Sequence, residues 1–204
     1  MHGYRYRVVV TGNCNPAATS NAATLSVNPR AITVKANNGS KTYGESYTVG
    51  ASSTAFSIDA TTPMVSGQSI ATITTASTGA ASSVDAGSYP IVASAAVAGD
   101  NTNLDNYAIT YSNGTLTVGQ ATPVVTLTVG GPFTYNGGAQ GATVATIKGV
   151  NQEELGSVLY TNKVGTATYS SATAPSNAGH YNVAVSFIGN TNYLPASENE
   201  DFTI

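Results

Sequence analysis

Tryptophan is absent from this 204-residue sequence, cysteine occurs once and histidine twice. Those shortages leave no tryptophan for a stacking platform, no internal disulfide and few imidazoles for acid–base sites. Charge is scarce as well: Asp, Glu, Lys and Arg make up 8% of residues, against about 25% in ordinary soluble domains. Seven residues are basic and the net charge is −3, which argues against nucleic acid as a partner, because phosphate binding needs clustered cations. No apolar run reaches the roughly 20 residues of a membrane helix. Nor does a secretory leader open the chain, since Met1-His2-Gly3 runs straight into Tyr4-Arg5-Tyr6 without a basic region and an apolar core. We read Met1 as an introduced start or an excision point, so export is not legible in this stretch. The apolar share of 41% nevertheless suffices for packed cores and excludes the highly charged regime of disordered chains.

The lone Cys14 cannot form an internal disulfide. Two readings stay open: its partner lies upstream of this stretch, or it is a free thiol in a loop or core. A catalytic role is disfavoured, because nothing nearby would generate the thiolate.

What the sequence does have is a repeat. Tyr43-Gly44 is followed by Asp85-Ala86-Gly87-Ser88-Tyr89, and Tyr135-Asn136-Gly137 by Asn177-Ala178-Gly179-His180-Tyr181. The same number of residues separates Tyr43 from Tyr89 as Tyr135 from Tyr181. Tyr107 precedes Val118 by the interval at which Tyr193 precedes Ile204. Self-similarity at a fixed period signals repeated structural units.

Short β-branched runs bounded by Gly, Asn and Pro predict strands at 8–10, 24–27, 32–35, 107–111 and 115–118. The second copy adds 124–129, 142–147, 166–169, 181–187 and 201–204. Asn38-Gly39, Asn113-Gly114 and Asn136-Gly137 predict tight turns with positive φ. Residues 151–159 read as either a helical turn or a loop. The pattern predicts an all-β chain of sandwich or barrel modules, and each repeat is long enough for an immunoglobulin-like β-sandwich, two in tandem. Pro-bearing joints divide it into residues 1–29, 30–119 and 120–204. Residues 1–29 read as one β-hairpin, the last strands of a truncated preceding immunoglobulin-like domain or strands donated to a neighbour.

The frame ITVKANNGSKTYGESY, then DAGSYPI, then NYAITYSNGTLTV, and the frame ATPVVTLTVGGPFTYNG through SNAGHYNVAVSF to NYLPASENEDFTI, resemble the MBG (mostly bacterial glycine-rich) family of immunoglobulin-like repeats. The run YRVVVTGNCNPAATSNAATLSV is similar to the last strands of another immunoglobulin-like repeat of large bacterial surface proteins. The resemblance implies exported, adhesin-like parents located at the cell surface, and it specifies no ligand. The low-charge Ser, Thr and Asn composition fits such a location.

In each copy, Ala-Gly followed by Tyr at a strand start predicts a tyrosine corner, the hydroxyl bonding backbone a few residues upstream. Gly87, Tyr89, Gly179 and Tyr181 are assigned that structural role, the glycines for backbone angles that a side chain opposes. No catalytic constellation assembles: His2 stands at the chain end, and His180 fills the slot that Ser88 occupies in the other copy. The neighbouring Glu153 and Glu154 diverge on a helix or a strand, whereas glycoside hydrolysis needs converging carboxylates. We expect no enzyme and no cofactor. Calcium is the alternative, because Asp100, Asn101, Asn103 and Asp105 crowd oxygen ligands into one loop. That loop lacks the Gly and Glu of an EF-hand, and Asx turns account for the same residues. For a carbohydrate-binding alternative, Tyr47, Phe56 and Tyr160 lie outside the repeated slots. The expected partners are other immunoglobulin-like modules of the same protein or of neighbouring subunits, with host or environmental glycans or proteins as further candidates.

Overall fold

The structure, a computed structural model, describes residues 3–13, 17–163 and 168–204. Cys14 and His2 lie outside the described residues, as does part of the strand expected at 166–169. The chain is nearly all β, with 48% strand and 2% helix. It divides into two compact units, one made of residues 1–36, 51–74 and 93–112, the other of 37–50, 75–92 and 113–204. The first repeat therefore contributes to both units, and the second repeat lies wholly in one.

The N-terminal segment forms β1 (Arg5–Tyr6), β2 (Val9–Val10), β3 (Ala18–Thr19) and β4 (Ala23–Thr24). Antiparallel pairing of β1 with β4 and β2 with β3 makes one hairpin. Tyr4, Tyr6, Val8, Val10 and Val27 are all more than half exposed, so this hairpin buries little of its apolar surface.

The first repeat follows as β5 (Arg30–Ala36), β6 (Gly39–Thr42), β7 (Phe56–Ile58), β8 (Ile70–Ala76), β9 (Gly87–Ala98), β10 (Tyr107–Ser112) and β11 (Gly114–Gly119). These strands build a three-stranded sheet in the order β10-β5-β7 and a four-stranded sheet in the order β6-β11-β9-β8. Alternation dictates which side chains enter the interior. Ile32, Val34 and Ala36 of β5 are buried, as are Leu116 and Val118 of β11, while Thr115 and Thr117 face out.

Two of the expected hairpins are corrected. Asn38-Gly39 and Asn113-Gly114 have no positive φ, and they do not join paired strands. The chain changes sheet at both places, so β5 pairs in parallel with β10 and β6 in parallel with β11. Asn38 Oδ1 accepts the Thr115 N–H at 2.9 Å, tying one crossing to the other. Gly137 does hold positive φ, +79°. The helical alternative at 151–159 is also excluded, because turn residues lead directly into a strand from Ser157.

The second repeat forms β12 (Val124–Val129), β13 (Ala142–Lys148), β14 (Ser157–Asn162), β15 (Ser170–Ser171), β16 (His180–Phe187) and β17 (Ala196–Thr203). The β12-β13 pair packs against the sheet β15-β14-β16-β17, which makes a sandwich. Its core holds Tyr160, Tyr181, Val183, Phe202 and Ile204. Phe202 stacks on Tyr181 at 5.6 Å and meets Phe133 and Tyr160 edge-on at 5.8 and 6.2 Å, so one ring organises three others.

Candidate functional site

The corner residues stand where strands begin. Tyr89 Oη donates to the Asp85 carbonyl at 2.8 Å, and Tyr181 Oη donates to the Asn177 carbonyl at 3.0 Å. Each ring folds back over the turn that precedes it. The glycines serve for a different reason than backbone angle, since neither has positive φ. A Cβ on Gly179 would meet the Tyr181 ring and hydroxyl at 3.1–3.2 Å, whereas one on Gly87 would lie 3.7 Å from Tyr89, an ordinary contact. Space under the ring is the constraint, and it binds tightly at Gly179 alone.

The same corner does a second job. In the turn before β17, Gly189 takes φ +88° and Asn190 Oδ1 accepts the N–H groups of Asn192 and Tyr193 at 2.8 and 2.9 Å. That turn presents the Asn192 amide to the first repeat's corner. Its Nδ2 donates to Asp85 Oδ1 at 2.8 Å, and its Oδ1 accepts the Ala86 N–H at 2.9 Å. One side chain of the second repeat thus closes a two-point clasp on the first.

Tyr43 and Gly44 complete this joint. The Tyr43 ring meets the Tyr193 ring edge-on at 5.3 Å and 79°. Gly44 holds φ +91° under Val150, where a Cβ would come 2.6 Å from Val150 Cγ2, so only glycine fits on both counts. The connecting backbone is bonded in: the Ala121 N–H donates to the Asn192 carbonyl at 2.8 Å, and the Leu194 N–H to the Ala121 carbonyl at 2.9 Å.

Tyr193 is the hub and is 2% exposed. Its hydroxyl accepts the Val150 N–H at 2.9 Å and donates to Glu153 Oε1. Burial, aided by the bond to Glu153, pushes its pKa up to about 12. The same bond holds the Glu153 carboxyl below its ordinary value. The first repeat contains the same device: the Tyr107 hydroxyl accepts the Val65 N–H at 3.1 Å and donates to Gln68 Oε1. Sequence reading missed this correspondence, although a Val with Gln or Glu three residues on, upstream of Asn-Tyr, stands in both copies.

The remaining candidates are placed individually. In the 100–106 loop, Asn103 Oδ1 accepts the Asp105 N–H at 3.0 Å and caps a short 3₁₀ turn over Leu104–Asn106. Asn101 takes φ +56°, and Thr102 Oγ1 donates to the Asp100 carbonyl at 3.1 Å. Among the described residues no cluster of three or more His, Cys, Asp or Glu could hold a metal ion. Tyr160 is withdrawn as a stacking platform, because it is 5% exposed inside the core. Tyr47 lies against Gly39, and the half-buried Phe56 lines a hollow of about 250 Å³ with Pro63 and Met64. His180 is exposed, with Nδ1 3.0 Å from Thr203 Oγ1. Lys41, unremarked in the sequence, is buried, its Nζ donating to the carbonyls of Glu45 (2.9 Å) and Ala81. Among the described residues no helix is long and apolar enough to cross a membrane.

No curated protein and no solved structure matches the chain. Residues 32–117 match the family model described as MBG domain (YGX type).

Proposed function

Residues 32–117 belong to the MBG domain family, a family of structural modules, and from that premise we propose that the chain is a non-catalytic segment of an extracellular bacterial surface protein or fibre, serving as a stalk or assembly unit. One observation supports this above the others. The residues that define the first repeat, Tyr43, Gly44, Asp85, Ala86 and Tyr89, are engaged in holding a corner and joining it to the second repeat. In an enzyme or lectin, the distinctive residues converge on a cleft and leave polar groups free for a ligand. Here they are consumed by architecture. The low-charge surface, rich in Ser, Thr and Asn, supports an extracellular setting. Isothermal titration of the full chain with Ca²⁺, and with mono- and oligosaccharides, should give only heats of dilution. A saturable heat at a stoichiometry of about one per chain would displace this reading in favour of a binding module.

A further inference from the structure

The joint between the repeats uses one half of each repeat and leaves the other half of each unused. In the second repeat the joint-forming groups of the first recur without occupants. Tyr135, the counterpart of Tyr43, is 60% exposed. Gly137, one residue further from Tyr135 than Gly44 is from Tyr43, holds φ +79° where Gly44 holds +91°, but nothing lies within 4 Å of its would-be Cβ, where Val150 covers Gly44. Asn177 and Ala178, the counterparts of Asp85 and Ala86, are exposed, and the Ala178 N–H has no hydrogen-bond partner among the described residues.

The first repeat carries the complementary half. Tyr107, Val65 and Gln68 reproduce the hub of Tyr193, Val150 and Glu153. Asn106, the counterpart of Asn192, is exposed, and its side chain has no partner among the described residues. Val65 is 47% exposed. Asn106, Val65 and Arg30 line an open cleft of about 720 Å³ together with Val27, Asn28 and Pro29 of the N-terminal segment.

We propose that Tyr135, Gly137, Asn177 and Ala178 form a docking face whose occupant is the Val65 and Asn106 face of a second copy of this chain, joined much as the two repeats are joined internally. The proposal rests on reading the chain as a repeat module, and it names the contact that such a module makes. The Asn106 amide donates to Asn177 Oδ1 and accepts the Ala178 N–H, as Asn192 does with Asp85 and Ala86. Val65 covers Gly137, and the Tyr135 ring packs beside Val65 and Asn106, because Tyr107 itself is only 6% exposed. The contact is heterologous and leaves one face free at each end, so addition continues head to tail instead of closing. Between separate chains it lacks the covalent linker that raises the effective concentration of the internal joint to the millimolar range (about 1 mM), and association is correspondingly weak.

Sedimentation equilibrium of the full chain tests this between about 10 μM and 1 mM, the range in which weak head-to-tail contacts populate. The weight-average mass should rise with concentration. Tyr135→Ala and Asn106→Ala, both at exposed side chains that the fold does not use, should each reduce the association constant by about tenfold or more. An equimolar mixture of the two variants retains one intact face of each kind and should form dimers that grow no further. A mass that stays monomeric throughout would overturn the proposal, as would association indifferent to both substitutions or a mixture that fails to dimerise. Any of these could occur with the titrations above still silent, in which case the structural reading stands without this contact.

Discussion

The Asn192 clasp makes the sharpest test of how the repeats are joined. Asn192→Ala removes a hydrogen bond to the Asp85 carboxylate and leaves the Ala86 N–H without its acceptor. A bond to a charged group contributes about 1.5–3 kcal/mol and a neutral one about 0.5–1.5 kcal/mol. The partly exposed setting lets water replace part of each, so the expected loss is about 1–3 kcal/mol. Asp85→Ala combined with it in a double-mutant cycle should show a coupling of about 0.5–1.5 kcal/mol, because both substitutions remove the same bond. Urea unfolding gives the total, and hydrogen exchange at the Ala86 amide isolates the local part. Asn106→Ala, measured at low micromolar concentration, is the internal control. It deletes the equivalent amide where no partner exists, and surface changes of that kind stay within about 0.5 kcal/mol. Equal effects of Asn192→Ala and Asn106→Ala, or a coupling indistinguishable from zero, would refute the clasp.

Two further outcomes follow from the corners and the hub. Gly179→Ala should lower stability clearly more than Gly87→Ala, by about 1–3 kcal/mol for forcing atoms into packed space, because Tyr181 lies 3.1 Å from the added carbon and Tyr89 lies 3.7 Å from its equivalent; equal effects in chemical denaturation would sink the spatial account. The raised pKa of Tyr193 makes stability pH-dependent in the alkaline range. The folded state keeps the phenolic proton to about 12 against 10.0 unfolded, so its contribution is intact below pH 10 and is lost as pH climbs towards 12. The loss amounts to about 2–3 kcal/mol at roughly 1.4 kcal/mol per unit. Tyr193→Phe should flatten that part of the pH–stability curve, and an unchanged slope would show that Tyr193 does not carry it.

Period-2 alternation and repeated Tyr positions made the strands and the all-β class legible, because burial on one side of a sheet leaves a local trace in sequence. Ile32, Val34, Leu116, Val118, Val183 and Val185 are all placed by that rule. The Asn-Gly pairs at 38 and 113 misled for a physical reason: they suit a hairpin turn, yet pairing with distant parallel strands prevailed over the local preference. The joint was invisible because its pairs are far apart in the chain. Asp85 with Asn192 and Gly44 with Val150 leave no local pattern, and only the recurrence of Val-x-x-Gln/Glu before Asn-Tyr offered a trace. The loop at 100–106 left calcium open beside the favoured Asx turns, because turns that satisfy their own backbone use the same Asp and Asn side chains that calcium prefers.

The parallel pairing of β11 with β6 has a mechanical consequence. β11 ends at Gly119, where the chain leaves the first repeat, and it lies between β6 and β9. In a chain held taut at both ends, tension entering at Gly119 runs along the axis of β11, across its hydrogen bonds to both neighbours. The ladder is then loaded in shear, with all rungs sharing the force, and it cannot open one rung at a time like a zipper. Rupture requires the whole strand to slide together, so the lifetime under load is set by an unfolding barrier more than by equilibrium stability.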